Sequence, residues 1–440
     1  MNSLRRGTCP GILEPMPTGD GLLARLLPCG PLPVDTMVAL CEASQLHGNA
    51  IVEVTQRGSL QFRGLSPASA PAFARSVVAL GLNGENGPPI LTSALMGLDP
   101  REFQDLRELP TVLRAELATP LATASLGPKV SVLIDGGGAL HLDDVTGDLR
   151  LRADDNARLH VSIAGNASSS TSLGWTERQH AVTVTVRVLA GIASRGIDAR
   201  ARDFVNTADV QVLRASLADV LSDAPPPGPR PAAEPVGIHR LNTGQVALGV
   251  ALGFGYTEAA VLKRLAQIAA ACGANSIQTS PGRSLLFIGL DADSASELTA
   301  AATAARFIVR PDDPRRFVVA CAGAPACSFA RLSTRELAPT IAEAAGAFLD
   351  GSVTIHVSGC AKGCAHPSAA ALTYVGPDCL VVRGRAADSL DGTISVAHFI
   401  AGLPRLAAQR LRSHNIQESS ANIVSRLGAA GVIAAMSAGT

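Results

Sequence analysis

The sequence has few aromatic residues and no excess of either charge. Phenylalanine, tyrosine and tryptophan make up 3% of its 440 residues, and one residue is tryptophan. So few rings cannot form the row of stacking platforms on which single-stranded nucleic acids bind. Because 37 basic residues balance 37 acidic ones, the composition predicts neither a nucleic acid nor an anionic membrane as a partner.

Long apolar runs are also missing. No run reaches the ~18 residues that a membrane-spanning helix needs, and the opening residues MNSLRRGTCPGILEPMP lack the apolar stretch of a signal peptide. We therefore expect a cytoplasmic protein. In that reducing compartment its nine cysteines would serve as metal ligands better than as disulfides.

Glycine motifs for nucleotides are absent as well. Asp135 is followed by three glycines, but the chain contains neither the P-loop pattern nor a G-x-G-x-x-G that opens a helix. We interpret Asp135 as the start of a tight turn. Electrons from a nicotinamide would then reach this chain through a separate reductase.

A repeat is the main positive feature of the sequence. Thr18-Gly19 aligns with Thr243-Gly244 at an offset of 225 residues, and at the same offset SLQFRGL from Ser59 aligns with SLLFIGL from Ser284. A second match, at an offset of 223, places VSVLIDGG from Val130 over VTIHVSGC from Val353. The pattern predicts an internally duplicated α+β protein with pseudo-twofold symmetry, in which each half has a ferredoxin-like half-domain and an α/β domain.

Composition places the boundaries between these parts. The proline-rich stretch SDAPPPGPRPAAEP predicts a semi-rigid linker, and loops from both halves would converge on a cofactor between them. The predicted ranges are 10–80 and 236–303 for the ferredoxin-like half-domains, 85–221 and 304–440 for the α/β domains, and 222–235 for the linker.

Four cysteines have the spacing of a cluster site. Cys321 and Cys327 form C-x5-C, and Cys360 and Cys364 form C-x3-C. Four thiolates on two short loops of small residues suit a [4Fe-4S] cluster. Zinc and buried core thiols are the alternatives, although zinc sites usually have closer pairs. The other cysteines are predicted to be core thiols: Cys9, Cys29, Cys41, Cys272 and Cys379.

Cationic and polar side chains in TQRGSLQFRG form a second candidate site. Placed on one strand, Arg57, Gln61 and Arg63 would share a face, and two guanidinium groups there would suit a polycarboxylate. A solvated sheet face is the alternative. The repeat has Gly282 at the first matching position and apolar residues at the other two, which suggests that one copy stayed polar for function.

Three further residues could act near the cluster. Lys129 opens the predicted strand of the first half, and Lys362 lies between two of the cysteines, so each could meet an anionic group. His366 follows Cys364 by two residues and could bind a second metal or contact the surroundings of the cluster. Surface solvation for Lys129 and a structural role for His366 are the alternatives.

The motifs CAGAPAC and SGCAKGCAHP, together with TQRGSLQFRG, SALMGLDP and LGPKVSVLIDGGG, resemble the sulfite and nitrite reductase superfamily over nearly the whole chain. The resemblance implies two sulfite-reductase-like α/β domains, a [4Fe-4S] cluster on the four cysteines, and sirohaem in the reductase branches. Those branches hold their oxyanion with four cations. Arg57 and Lys129 match two of them, but Pro88 and Ser131 occupy the other places, which disfavours an oxyanion reductase.

Within the superfamily, RRGTCPGILEPMPTGDGLLARL and SGCAKGCAHP most resemble the O2-dependent branch of aerobic cobalamin biosynthesis. That resemblance implies hydroxylation of the tetrapyrrole precorrin-3A at C20 with γ-lactone closure, with electrons from NADH and a non-haem iron in place of sirohaem. Arg57, Arg63 and Lys129 would bind the carboxylates of the tetrapyrrole. His366 is only a candidate ligand of that iron. A sirohaem-dependent assimilatory reductase and a non-catalytic tetrapyrrole carrier are the alternatives.

Overall fold

The structure, a computed structural model, describes residues 10–82, 87–118, 126–412 and 418–437. The predicted core thiol Cys9 lies outside these residues. These described residues form two compact units, the first with those in 10–16, 23–250 and 257–305 and the second with those in 17–22, 251–256 and 306–437. No helix in the described ranges combines the length and the apolar character needed to cross a membrane.

The elements follow one another in the order that the repeat predicts. The first half contains β1 Met16–Thr18, β2 Gly21–Leu26, β3 Leu32–Pro33, α1 Val34–His47, β4 Ile51–Val54, β5 Leu60–Leu65, α2 Ala70–Ala79, β6 Ile90–Thr92, α3 Leu109–Leu117, β7 Val132–Asp135, β8 Gly147–Ala153, β9 Arg158–Gly165, β10 Thr171–Glu177, α4 Ala181–Ala193 and α5 Thr207–Ala215. The second half contains β11 Gly237–Arg240, β12 Val246–Ala251, β13 Tyr256–Glu258, α6 Ala259–Ala271, β14 Ser276–Ser280, β15 Ser284–Leu290, α7 Ala292–Ala304, β16 Val318–Ala320, α8 Thr334–Ala345, β17 Ile355–Ser358, β18 Ala370–Val375, β19 Cys379–Gly384, β20 Gly392–Thr393, α9 Val396–Arg412 and α10 Ser420–Ser437.

The two ferredoxin-like sheets have matching strand orders, β1-β2-β5-β4-β13 and β11-β12-β15-β14-β3. Their registers also match, because Val52 pairs with Phe62 in the first sheet and Ile277 with Phe287 in the second, at the offset of 225 residues. Each sheet takes its fifth strand from the other half of the sequence. The duplication is therefore interlocked, and it cannot be divided into two independent halves at the linker.

The two α/β sheets repeat one another in the same way. Both have two parallel pairings followed by two antiparallel ones, in the orders β6-β7-β8-β9-β10 and β16-β17-β18-β19-β20. Val132 pairs with Leu149 in one sheet and Ile355 with Leu372 in the other, at the predicted offset of 223. The central strands β7 and β17 are buried along their whole length, as expected of parallel strands covered on both faces. The predicted α+β duplication is confirmed.

Candidate functional site

The four predicted cluster ligands lie on two loops at one edge of the sheet formed by β16 to β20. Cys321 and Cys327 follow β16, whereas Cys360 and Cys364 follow β17. These strands are parallel neighbours, with Val318 paired to Ile355. Because parallel neighbours end at the same edge of a sheet, the topology brings together two cysteine pairs that are far apart in sequence.

Hydrogen bonds fix both loops. The amide of Gly359 donates to the Cys321 sulfur at 3.2 Å, and the Thr334 hydroxyl donates to the Cys321 carbonyl at 2.6 Å. The Ser358 hydroxyl donates to the carbonyl of Cys360 at 2.7 Å. Amides directed at cluster sulfurs tune their potential, and a frame held by protein bonds positions the thiols in advance.

Two glycines are required by this frame. Gly323 has φ +68°, and a Cβ on it would lie 2.4 Å from the Thr334 hydroxyl. Gly19, from the repeated Thr-Gly pair, donates its amide to Ala326 at 3.1 Å, and its Cβ would lie 2.3 Å from the Pro325 carbonyl. The start of the chain thus supports the loop between Cys321 and Cys327.

The sulfurs are close enough to influence one another electrostatically. Burial is the main cause that raises the pKa of the Cys364 thiol. The other three cysteine thiols raise that pKa further, whereas Lys362 lowers it. A bound metal cation would relieve this repulsion between thiolates.

The cysteine sulfurs are not gathered as tightly as a single zinc ion would hold them. Within the described residues, no three of the four sulfurs lie within 4.8 Å of one another, whereas one zinc ion at about 2.3 Å from each sulfur would hold them within about 4 Å.

Lys362 and His366 lie on the loop of the second cysteine pair but face different surroundings. Lys362 is exposed, and its ammonium lies 3.1 Å from the ring centroid of the exposed Phe329. The ring of His366 packs against that of His356, with centroids 5.6 Å apart. His356 is fully buried on β17. Sequence reasoning missed it because it lies within a strand that is otherwise apolar or small.

Arg57 does not lie on a strand, contrary to the sequence prediction. It occupies the turn between β4 and β5, where Gly58, at φ +80°, donates its amide to the Thr55 carbonyl at 2.9 Å. The alternation of a strand therefore does not extend from Gln61 back to Arg57. Instead, the Arg57 guanidinium donates to the hydroxyl of Ser131 at 3.0 Å, a residue that the resemblance already placed at the same site.

Gln61 and Arg63 do share one face of β5, and both are buried, with exposed fractions of 7% and 4%. The alternative of a solvated face is therefore wrong. With the Gln61 amide oriented to satisfy its neighbours, its nitrogen lies 2.7 Å from Glu53 and its oxygen 2.6 Å from Nη2 of Arg25. Glu53 also lies 3.6 Å from Nε of Arg63. We call these four residues the polar face.

Sequence reasoning missed two members of the polar face, Arg25 and Glu53. Each is a single charged residue within a short apolar strand, in GLLARL and IVEV. A charge at such a position is costly to bury without a partner. One charged residue within an apolar strand was therefore the available sequence signal for a buried polar cluster.

Lys129 lies in a turn that precedes β7 and does not open the strand as predicted. The Val130 amide donates a hydrogen bond to the Gly127 carbonyl at 3.0 Å, which closes the turn, and Lys129 is exposed. Pro88 and Ser131 are both buried, so two of the four positions that the resemblance predicts to be cationic hold uncharged side chains within the fold.

The predicted core thiols are only partly confirmed. Cys41 and Cys272 are buried, and burial raises the pKa of Cys41 to about 12. Cys379 is half-buried at the start of β19. Cys29 is exposed, so its assignment to the core is wrong. It lies just after β2, where the chain has left the sheet.

Comparison with known proteins relates the chain to one superfamily. The family model "Nitrite/Sulfite reductase ferredoxin-like half domain" matches residues 14–80. A precorrin-3B synthase of Sinorhizobium sp is 37% identical, over 99% of this chain and 96% of its own length. A ferredoxin–nitrite reductase of Synechococcus elongatus is 26% identical, over 82% of this chain and 77% of its own length.

A solved structure shares the fold. The NirA protein of Mycobacterium tuberculosis superposes with a TM-score of 0.77 at 19% identity, and the match covers 93% of this chain and 84% of that protein. At that identity the likeness concerns architecture. It agrees with the duplicated arrangement of sheets described above.

Proposed function

The chain belongs to the precorrin-3B synthase family, within the nitrite and sulfite reductase superfamily, and we propose that it hydroxylates precorrin-3A at C20 and closes a γ-lactone in aerobic cobalamin biosynthesis. The observation that carries this proposal is the 37% identity to a precorrin-3B synthase along 99% of the chain. The chain is thus an enzyme of an oxidoreductase superfamily. Its action as a monooxygenase with O2 and NADH-derived electrons is our proposal.

Cys321, Cys327, Cys360 and Cys364 would hold a [4Fe-4S] cluster, which supplies single electrons when bound. Such electrons are needed because O2 reacts slowly with closed-shell organic molecules. The bond from the Gly359 amide to Cys321 would stabilise the reduced, more negative cluster. Thr334 and Ser358 hold the backbone of the two loops and thus the direction of the sulfurs.

The carboxylates of the tetrapyrrole would bind to the cations of the first sheet. Arg63 and Arg25 flank Gln61 on the polar face, and Glu53 balances one of their two charges. Ser131 would orient the Arg57 guanidinium for a second carboxylate, and Lys129 would supply a more mobile charge. Arginine suits this task because its planar donors match a carboxylate bidentately.

The uncharged side chains at Pro88 and Ser131 support hydroxylation over oxyanion reduction. An anion that loses two cationic hydrogen-bond donors loses several kcal/mol of stabilisation. Precorrin-3A already carries its negative charges on side chains at its periphery, so it does not need four cations over one small ligand.

The non-haem iron implied by the resemblance does not fit the group of donors that the structure offers most clearly. Within the described residues, Asp135, His141 and Asp143 place three ligand atoms within 4.8 Å of one another. The guanidinium of Arg230 already binds both carboxylates. With both carboxylates bound to Arg230, these three residues do not offer an open site for iron, and His366 remains a candidate ligand by sequence alone.

A separate reductase would deliver the electrons, since the sequence has no dinucleotide-binding motif. Such a donor would approach the two cysteine loops, on which Lys362 and Phe329 are both exposed. We place the reaction in the cytoplasm, where thiolates stay reduced.

The test is an assay with anaerobically purified protein, precorrin-3A, a chemical reductant and isotopically labelled O2. We expect a product heavier by one labelled oxygen atom and carrying a lactone. Protein with Arg264→Ala, an exposed change on α6, should behave as the wild type. Absence of the labelled product from protein that retains its cluster would refute the proposal.

An absorption spectrum of the same preparation separates the alternatives. Strong Soret and red bands would reveal sirohaem and favour a sulfite or nitrite reductase, to be confirmed by turnover of those anions. Redox cycling of the cluster with bound tetrapyrrole but without product would favour a carrier with a structural cluster.

A further inference from the structure

The proline-rich segment 222–235 is fastened to the first α/β domain along much of its length. The indole nitrogen of Trp175 donates to the Pro225 carbonyl at 3.0 Å, and the Arg152 guanidinium donates to the Gly228 carbonyl at 2.8 Å. The His141 ring lies 2.8 Å from the Pro231 carbonyl. The segment was predicted to be a semi-rigid spacer, yet its contacts are those of a strap, and we use that name for residues 222–235.

Arg230 makes the strongest of these contacts. Its Nη2 binds Asp135 and lies 2.6 Å from Oδ1 of Asp143, and its Nε lies 3.0 Å from Oδ2 of Asp143. The Asp135 side chain is fully buried, and those of Asp143 and Arg230 are nearly so. Burial opposes the charge of Arg230, but the hydrogen bonds and charges of Asp143 and Asp135 prevail and raise its pKa above the ordinary value.

The residues around Arg230 have the composition of a metal site. Two carboxylates and one imidazole within 4.8 Å are donors that Mn²⁺ or Fe²⁺ would accept. A divalent ion would nevertheless have to displace the guanidinium. It would also be repelled by two further cations. Arg152 lies 3.7 Å from Asp143, and the buried Arg150 interacts electrostatically with the carboxylates of Asp135 and Asp143.

The position of this centre in the repeat is informative. At the offset of 223 residues, Asp135 matches Ser358, His141 matches Cys364 and Asp143 matches His366. The main-chain hydrogen bonds around the centre also match. The Phe103 amide donates to the Gly136 carbonyl in the first copy, and the Arg331 amide donates to the Gly359 carbonyl in the second, each at 2.9 Å. The centre is therefore the first-copy counterpart of the loop that carries the second cysteine pair.

We propose that Asp135, His141 and Asp143 form a cation centre whose resident cation is the guanidinium of Arg230, so that the first copy binds its own strap at the place where the second copy carries cluster ligands. The centre stays free of metal while Arg230 occupies it. The same ion pair holds the strap on the domain.

Two measurements test the proposal, and neither depends on activity. Mn²⁺ binding, followed by electron paramagnetic resonance on purified protein, probes oxygen and nitrogen donors without reporting on the cluster iron. We expect no binding at this centre in the wild type, one Mn²⁺ per chain in Arg230→Ala, and none in the double variant Arg230→Ala with Asp143→Asn. Arg202→Ala, at an exposed arginine, is the matched control.

The single tryptophan, Trp175, reports on the strap because it contacts Pro225 and Ser222 directly. In Arg230→Ala we expect emission shifted to the red and acrylamide quenching increased severalfold, while Arg230→Lys keeps a cation and restores much of the wild-type signal. Unchanged fluorescence in Arg230→Ala would overturn the role in holding the strap. If the wild type binds Mn²⁺ and the Asp143→Asn variant does not, the assignment of Arg230 as the resident cation is overturned. This outcome can be observed even if Arg230→Ala fails to fold.

Discussion

The two ferredoxin-like sheets bury corresponding faces with opposite chemistry. In the first copy β5 buries Gln61 and Arg63, with Glu53 opposite on β4. In the second copy the positions of Gln61 and Arg63 hold Leu286 and Ile288, which belong to a hydrophobic cluster. A buried ion pair rarely adds stability over a well-packed apolar one, which supports the proposal that the polar face binds the substrate. The second copy shows that the same strand positions can also be filled by apolar side chains.

The two α/β domains also differ at corresponding loops, but there the second copy carries the candidate site. Cys321 donates its amide to Val357 at 3.3 Å, and its counterpart Ser93 donates to Ile134 at 3.2 Å. This main-chain hydrogen bond is thus common to both copies, whereas the four cysteines have no cysteine counterpart in the first copy. In the order Cys321, Cys327, Cys360 and Cys364, the first copy has Ser93, Asp99, Gly137 and His141. At these four positions, only the second copy has the thiols that we propose as cluster ligands.

The largest effect is expected from removing one of the four proposed cluster ligands, which tests the difference between the two α/β domains directly. Cys360→Ser replaces a soft thiolate by a poor iron ligand, so we expect loss of the cluster and of all hydroxylation activity. Iron and sulfide analysis together with the product assay measures both. Cys272→Ser, at a buried cysteine at the end of α6, should retain cluster and activity. Equal losses in the two variants would contradict our division of the cysteines.

A second experiment gives the first sheet the residues of the second. The quadruple variant Arg25→Val, Glu53→Gln, Gln61→Leu and Arg63→Ile carries the identities found at Val250, Gln278, Leu286 and Ile288. Because the four members of the polar face are replaced together, we expect stability to be unchanged or higher.

The tetrapyrrole, in contrast, should bind at least about 100-fold more weakly to the quadruple variant, since two or more charged hydrogen bonds are lost. KM for precorrin-3A and urea unfolding measure the two effects. Arg264→Ala is the control for a lost surface charge. A variant with wild-type KM would show that the polar face serves a purpose other than substrate binding.

Much of the fold could be predicted from the repeat, because a constant offset preserves both strand register and the end of each strand. The paired cysteines were predictable for the same reason, as their loops follow neighbouring parallel strands. Arg57 was misplaced because alternation says nothing about where a hairpin turns, and Gly58 was the missed signal.

Contacts between distant segments were the least predictable part of the molecule. Arg230 binds Asp135 from 95 positions away, and nothing in the local sequence of the strap identifies that partner. Arg25 and Glu53 were missed for a related reason, since each looks like an isolated charge until the strands β2, β4 and β5 are placed side by side.

A smaller change probes the apolar copy. Ile288→Val removes one methyl group from the cluster that contains Leu286 and Ala247, and such deletions cost about 1 kcal/mol of unfolding free energy. KM for the tetrapyrrole should not change. Ile238→Val, on the exposed side of β11 in the same sheet, should stay within about 0.5 kcal/mol of the wild type. A changed KM in Ile288→Val would mean that the second copy also takes part in binding.

The smallest expected effect concerns Glu102, whose counterpart in the second copy, at an offset of 228 residues, is Ala330. Burial raises the pKa of Glu102 to about 7, although a hydrogen bond from the Gly97 amide acts against the shift. The folded protein therefore holds this proton more tightly than the unfolded chain, whose glutamate titrates near 4.5. The associated stability is present below about pH 4.5 and is lost as the pH rises through about 7.

Glu102→Gln keeps the acceptor for Gly97 and removes the titration. We expect the variant to melt about 1–2 °C above the wild type at pH 8 and to show little difference at pH 4.5, because only the ionised carboxylate is unfavourable in the fold. Scanning calorimetry at the two pH values measures this, and Glu116→Gln on the surface of α3 is the control. A constant difference at both pH values would mean that the Glu102 carboxylate is well solvated, so that its burial would not distinguish the first-copy loop from its counterpart at Ala330.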